Sequence, residues 1–490
     1  MATAKKITTR KADPKESQSL QIPNVVLWLV WALYSAVVLY TTSNHEPWRD
    51  EAQSWLIARD NSLLGLFQYL PNEGHPPLWY LLLMPFAKLG FAYSTINVIH
   101  NLIVIAFAWL LLFKNNINFV LKVALLFSYF FIYEYAVIAR NYSIVALILA
   151  GIGAMYAKRF EKPLLYALLI FLLFQTNVLA FCTGVGLGAI FFLEMIEEKK
   201  WQPKNFVALA IMAVGALAMI VLLLSAGMKS SYSKESTDKW FTVFETFGSA
   251  MTLNAANGQL GLAAYVVIVL SFIRKPKALI FILIATAGFL YLALYQFQGT
   301  TRHHGFLLIF LLGAFVIAAQ YKPWQKLEKY KWIDLSGIVV FVALLSFQVL
   351  KATDFIGVEN EKNFSDAKNA GEFIMKNNLD KYTIVGHTSY AASAVAPYLP
   401  IGKPIWYADQ KRNGTFVFLD TVFFNNYFKY SADYAPYIVQ ETFQNKDSVL
   451  LLMSMPIQHP EFLKQWQMIY RTTEEPIKRD EIFFIYRRNF

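Results

Sequence analysis

Four short polar stretches interrupt an otherwise apolar chain and hold the side chains best suited to chemistry. The first, HEPWRDEAQSW, sets Asp50 beside Glu51, with Glu46 and Arg49 just before them and Arg59 and Asp60 just after the stretch. The second, NEGHPPLWY, places His75 rigidly before Pro76 and Pro77. The third, EYAVIARNYS, carries Arg140 and Tyr142, and the fourth, TTRHHGF, carries Arg302, His303 and His304. Carboxylates accept protons, and guanidinium groups bind phosphate oxygens in pairs. A surface that combines them suits displacement of a lipid phosphate by a nucleophile that loses its proton as it attacks.

Each stretch has a plainer reading. Asp50 and Glu51 could simply cap a helix, where the dipole favours carboxylates. His75 could mark a helix start with proline in its first turn. Arg140 and Tyr142 could be interfacial anchors. Arg302, His303 and His304 could be an anchor, an anion clamp or metal ligands, although adjacent histidines lack the i, i+4 spacing of a helical metal pair.

The elements that must position these residues are membrane helices. The chain has 490 residues, 56% of them hydrophobic and 16% charged, whereas soluble domains are nearer a quarter charged. Its 27 Tyr, 41 Phe and 12 Trp suit the aromatic belts of a membrane protein. Cys182, the only cysteine, lies in an apolar run and reads as packing. It excludes an intrachain disulfide and leaves the redox compartment open.

Apolar runs lie at about 24–42, 93–113, 118–138, 142–157, 163–175, 177–196, 206–226, 259–273, 277–297, 304–320 and 335–351. The run 76–90 is short and holds three prolines. If it does not cross, alternate loops after residue 93 hold fifteen Lys and Arg, among them Lys158, Arg159, Lys199, Arg274 and Lys326. The opposite loops hold five: Arg140, Lys229, Lys234, Lys239 and Arg302. The positive-inside rule then predicts about 11 transmembrane helices, a cytoplasmic N-terminus and an extracytoplasmic C-terminus. The basic segment 1–23 stays inside, and the first span is expected to be a retained signal anchor. Run 76–90 becomes an interfacial helix. The net charge of +11 is thus mostly a topology signal and not a nucleic-acid footprint.

The organisation expected is a transmembrane domain over 24–351 with long outer loops at 43–92 and 227–258, then an extracytoplasmic α/β domain over 352–490. In the first loop, apolar residues at helical spacing after Asp50 predict short amphipathic helices lying on the membrane. In the tail, 365–378 reads as a helix with Ser365 at its N-cap, and 389–399 as another. Strands are expected at 382–387, 404–409, 416–420, 448–454 and 482–487. Strands alternating with helices suggest a small open sheet. No glycine-rich phosphate loop follows any strand.

The order Asp50–Glu51, His75–Pro76–Pro77, Arg140 resembles the GT-C superfamily of integral-membrane glycosyltransferases, and within it the protein O-mannosyltransferase and aminoarabinose (lipid A) transferase group. The resemblance covers about residues 24–310. It implies a GT-C-like helical fold and transfer of a sugar from a polyprenyl-phosphate donor to a lipid, glycan or protein acceptor at the outer face, with inversion. It implies that Asp50 is the base, that Glu51 orients the acceptor, and that His75 shapes the site. Arg140 would bind donor or phosphate, beside Tyr142, and Arg302 would grip the lipid phosphate, flanked by His303 and His304. No cofactor is required on this reading. A divalent metal, if used, would sit among Asp50, Glu51, His75 and His303. The location implied is a bacterial inner (plasma) membrane. Two other classes compete: a transporter or flippase of polyprenyl-linked lipids, and a scaffold presenting the tail. Transporters tend to hold ionisable groups near the bilayer midplane, whereas here they collect on one face.

Overall fold

A computed structural model describes residues 22–225, 238–426, 431–443 and 448–488. The basic N-terminal segment and residues 226–237 of the second long loop lie outside these. Among the described residues, eight helices are long and apolar enough to cross a membrane: Asn24–Asn44, Thr95–Lys114, Ala180–Glu197, Pro203–Ser225, Ala255–Arg274, Pro276–Tyr295, Thr301–Ala318 and Trp332–Glu361. Proline opens three of the apolar helices, at 163, 203 and 276, where its missing N–H costs nothing. Apolar side chains such as Leu217, Val221 and Leu224 remain exposed along these helices, as expected where lipid replaces a protein partner.

Three apolar helices are shorter: Leu78–Lys88, Tyr142–Lys158 and Pro163–Phe174. At 1.5 Å per residue, the first extends roughly 16 Å and the third roughly 18 Å, against a hydrocarbon core of roughly 30 Å. The run 118–138, expected as one span, is broken. Its α-helix covers only Phe119–Phe127, and a π turn follows at Phe130–Glu134. The hydroxyl of Ser128 donates to the Leu125 carbonyl at 2.7 Å and takes up an acceptor of the last helical turn. Non-helical backbone then leads to Arg140, buried in protein as irregular backbone within a membrane domain must be.

The two long loops are more structured than loops. The second contains a helix, Lys239–Thr252, capped by Asp238, whose carboxylate accepts from the Phe241 N–H at 2.9 Å. It packs backbone-to-backbone on the following helix. A Cβ at Gly261 would lie 2.3 Å from the Phe247 carbonyl oxygen, so only glycine fits that approach.

The first loop folds as three helices, Arg49–Asp60, Leu63–Glu73 and Leu78–Lys88. Ser62 caps the second by accepting from the Gly65 N–H at 3.0 Å, and Gly74 ends it at φ 65°. That helix keeps Leu63, Leu64 and Phe67 exposed, the apolar face expected of an interfacial helix. Arg49–Asp60 departs from the expectation. Leu56, Ile57 and Ala58 are all fully buried, because the helix is packed between Leu78–Lys88 and the tail turn Ser393–Tyr398. It is a core helix.

Helix Trp332–Glu361 runs past residue 351, so the change from bundle to tail comes at about 362. The tail forms one six-stranded sheet of β1 (Thr383–His387), β2 (Ile405–Tyr407), β3 (Arg412–Gly414), β4 (Val449–Met453), β5 (Trp466–Arg471) and β6 (Phe484–Arg488). The order is β3-β2-β1-β4-β6-β5. β1 pairs parallel with β2 and β4, and the outer pairings are antiparallel. Helix Ala367–Lys376 follows Ser365, whose hydroxyl accepts from the Ala367 N–H at 3.1 Å.

The stretch 416–420, expected as a strand, docks on the first loop instead. The Gln53 amide donates to the Val417 carbonyl at 2.7 Å and accepts from its N–H at 2.9 Å. Tyr69 donates to the same carbonyl at 2.6 Å and packs edge-on against Phe416 and Phe418. With Val417 satisfied this way, no sheet neighbour is needed there.

Candidate functional site

Helix Arg49–Asp60 begins by turning its third residue back on itself. Glu51 accepts from the Trp48 N–H at 3.0 Å through Oε2, the reciprocal half of a capping box. Asp50, one residue earlier in the first turn, therefore points elsewhere. It is 29% exposed, while Glu51 is fully buried.

The carboxylate of Asp50 meets two arginines from distant parts of the chain. Its Oδ2 lies 2.8 Å from Arg140 Nη1 and 3.0 Å from Arg302 Nη1. Oδ1 is 4.0 Å from Arg49 Nε, beyond hydrogen-bonding distance, so one oxygen is spent on guanidinium groups and the other is open. Burial raises the proton affinity of Asp50, but Arg140, Arg302 and Arg49 outweigh it and hold the carboxyl well below the ordinary range.

The neighbours fix those arginines. Glu51 Oε1 accepts from the Ala139 N–H at 2.6 Å, pinning the strand of chain that delivers Arg140. The Tyr135 hydroxyl donates to the Arg302 carbonyl at 2.5 Å. The Arg302 guanidinium lies 4.9 Å from the Trp48 ring centroid. His75 Nε2 sits 3.5 Å from Arg140 Nη2, and its Nδ1 is buried without a partner among the described residues. Burial and Arg140 push its pKa down to about 3, so His75 is a neutral ring beside the guanidinium.

Glu51 does not serve the open face. Its Oε2 also contacts His45 Nε2 at 3.0 Å, and His45 Nδ1 contacts Glu359 Oε1 at 2.8 Å. The Tyr133 hydroxyl donates to Glu359 Oε2 at 2.6 Å. Burial opposes charge on His45, but the two carboxylates outweigh it and raise its pKa to about 10. This closed chain ties the first loop to the end of helix Trp332–Glu361. Both Glu51 oxygens are taken up by His45, Trp48 and Ala139, so the geometry gives Glu51 a bracing contact to the chain before Arg140, whereas the resemblance implied that it orients the acceptor.

The remaining candidates are nearby but turned to local tasks. Tyr142 is buried, stacks on Tyr135 at 5.1 Å between centroids, and finds no partner for its hydroxyl among the described residues. His303 Nδ1 accepts from the Thr300 N–H at 3.0 Å and closes its own turn. His304 Nε2 donates to the Gln298 carbonyl at 3.1 Å. The set Asp50, Glu51, His75 and His303 is not gathered as a metal centre: Glu51 faces His45, and His303 faces Thr300. Among the described residues no three His, Cys, Asp or Glu side chains are grouped so as to hold a metal ion.

Several site residues had no motif to announce them. Trp48 carries Arg49 on its ring at 4.8 Å and Lys478 at 4.3 Å. Arg49 reaches the tail, where its Nη1 lies 2.6 Å from Asp480 and 3.3 Å from Glu481. Glu73 accepts from Gln53 at 2.8 Å and lies 3.0 Å from the Tyr69 hydroxyl oxygen, and burial raises its pKa. A capping-box reading of Trp48–Glu51 could have separated Asp50 from Glu51; nothing in the sequence linked residue 478 to residue 48.

No family model, curated protein or solved structure matches this chain.

Proposed function

We propose that the protein is a glycosyltransferase that moves a sugar from a polyprenyl-phosphate donor to an acceptor, with Asp50 as base. The observation that carries this reading is the convergence of Arg140 and Arg302 on one oxygen of a partly exposed aspartate, at the end of a bundle of apolar helices. Two arginines beside a lipid-facing bundle suit a lipid phosphate. The order of Asp50–Glu51, His75–Pro76–Pro77 and Arg140 supports a GT-C-like enzyme. On this reading Tyr142–Lys158, Pro163–Phe174 and the broken run 118–138 supplement the eight long helices to about 11 spans, Leu78–Lys88 stays in the interface, and the Asp50 end and tail face away from the cytoplasm.

In the free protein Asp50 occupies the arginines that the phosphate would use. An incoming phosphate competes for Arg140 and Arg302, and the proton affinity of Asp50 then rises towards the ordinary range. The acceptor hydroxyl or amine attacks the anomeric carbon. Its proton passes to Asp50 Oδ1, the bond from C1 to the phosphate oxygen breaks, and the electron pair stays on the phosphate. Charge stabilisation by preorganised arginines lowers the barrier, and positioning contributes much of the rest.

The test is release of polyprenyl phosphate by purified protein from a panel of polyprenyl-phosphate sugars, with an alcohol and an amine acceptor. Release by the wild type that is lost in Asp50→Asn, with folding retained, supports the reading. Equal release by both removes Asp50 as base. No release from any donor, together with transbilayer movement of the donor in liposomes, replaces the transferase with a transporter.

A further inference from the structure

The tail brings a cation to the Asp50 site that pairs with no acid among the described residues. Lys478 Nζ lies 4.3 Å from the Trp48 ring centroid and 5.1 Å from that of Phe364. The same indole carries Arg302 at 4.9 Å. Among the described residues, no carboxylate is within 4.0 Å of the ammonium and no acceptor takes its protons. Asp50 and Glu134 are the acids it feels at longer range, and Glu134 already accepts from Tyr129 at 2.7 Å. Burial and the neighbouring Arg302 lower its proton affinity, a penalty that a bound anion would relieve.

Its placement is fixed by backbone. The Ile477 and Lys478 N–H groups donate to the Asn363 and Phe364 carbonyls, each at 2.9 Å. Three residues on, Glu481 is fully buried and accepts from the Arg49 N–H at 3.1 Å and from the Ser365 hydroxyl at 2.5 Å. The charge count then differs between neighbours. Arg49 is spent on Asp480 and Glu481, and Arg140 and Arg302 on Asp50. Lys478 is spent on no acid.

We infer that Lys478, supplied by the tail, holds the second negative charge that appears on the lipid phosphate as it leaves. The inference rests on the transferase reading. A phosphodiester donor carries one negative charge. When the bond from C1 breaks, its electron pair remains on the phosphate oxygen, the acceptor forms the new bond to C1, and the acceptor proton goes to Asp50 and then to water. The polyprenyl monophosphate left behind carries up to two charges. Arg140 and Arg302 meet the first, and the unspent ammonium meets the second. The tail is thereby part of the site. An interaction that strengthens only as charge develops raises turnover more than donor affinity.

The experiment compares wild type, Lys478→Gln, Lys478→Arg and Arg302→Gln in binding a short-chain prenyl monophosphate and a non-hydrolysable prenyl phosphodiester. Lys478→Gln should bind the monophosphate about tenfold more weakly and the diester within about threefold of wild type, and Lys478→Arg should restore most of the difference. Where turnover is measurable, Lys478→Gln should lower kcat with little change in donor KM. If Lys478 only braces Trp48 against the tail, both ligands change together and the thermal midpoint falls; that outcome overturns the inference. If Lys478→Gln binds both ligands like wild type while Arg302→Gln loses both, Lys478 is excluded and the phosphate site stands. If the wild type binds neither, the transferase reading and the inference fall together.

Discussion

Two carboxylates in this molecule each lie between two cations, at opposite ends of the same helices. Asp50 meets Arg140 and Arg302. Helix Tyr142–Met155 begins just after Arg140 and leads to Arg159, which pairs with Glu194 at 2.5 Å. Its 14 residues span roughly 21 Å. Helix Phe306–Ala318 likewise leads from Arg302 towards Tyr321. At the second cluster Lys277 lies 3.1 Å from the other oxygen of Glu194, and Arg159 also bonds the Tyr321 hydroxyl at 2.9 Å and the Tyr156 carbonyl at 2.8 Å. Glu194 is fully buried and uses both oxygens; Asp50 keeps Oδ1 open. An acid between two cations is thus a structural clamp where both its oxygens are spent and it is fully buried. It can be a site where one oxygen is open and the surrounding charge is positive.

The widest separation between the two should come from removing each acid. Asp50→Asn is expected to lower transfer by about 10²–10⁴-fold, the usual scale for a general base, with an unchanged thermal midpoint. Glu194→Gln should do the reverse. It leaves Arg159 buried without its acid and Lys277 with Glu197 alone, at 2.9 Å, and breaking a buried pair costs about 3–5 kcal/mol, so unfolding measurements should show a large loss while the folded fraction keeps its activity. If Glu194→Gln is as stable as wild type and inactive, the division between clamp and site is wrong.

A smaller effect should come from Arg302→Gln, which removes one of two contacts to Asp50 Oδ2. Donor KM should rise about tenfold or more, the scale of a charged hydrogen bond, whereas substituting a clamp residue leaves KM alone.

The pH profile sharpens the comparison further. The Asp50 carboxyl is held well below the ordinary range in the free protein. The acid limb of kcat/KM, which reports free enzyme, should therefore fall below pH 4. The limb of kcat, which reports the donor complex, should lie higher, because the phosphate has displaced Asp50 from its arginines. Coincident limbs would contradict that exchange.

The last expected effect is on stability and not on turnover, and it concerns His45. Its folded pKa of about 10 is raised above the unfolded value of about 6.5. Its contribution is fully present below pH 6.5 and is lost as pH rises towards 10. The thermal midpoint should fall between pH 6.5 and 10 in wild type and stay flatter in His45→Gln, which starts lower.

Much of the architecture was legible because it depends on local composition and period. Most long apolar runs became helices within a few residues of their expected ends, the exceptions being 118–138, which breaks after Phe127, and 335–351, whose helix runs on to Glu361; β1, β2, β4 and β6 followed short apolar runs between turn residues. Residues 416–420 and 466–471 were not legible. The first is extended but satisfied by Gln53 and Tyr69, and the second is an edge strand with alternating exposure that reads as polar. The interfacial reading of Arg49–Asp60 failed because an amphipathic pattern does not say what covers the polar side, and here the tail covers it. The expectation that ionisable groups collect on one face missed Glu194, which sits among apolar neighbours in the sequence and meets Arg159 and Lys277 only in the fold.

The sequence by itself determined the helices, the small sheet and the residue types that could bind phosphate, since these follow from hydropathy, period and functional-group chemistry. Tertiary structure alone decided which acid does what. Asp50 and Glu51 are adjacent and chemically alike, yet one helical step turns Glu51 into a sealed chain with His45 and Glu359 and leaves Asp50 facing two arginines. It also decided that residue 478 would lie on residue 48. Contacts between residues far apart in the chain depend on how whole elements pack, and no local pattern encodes them.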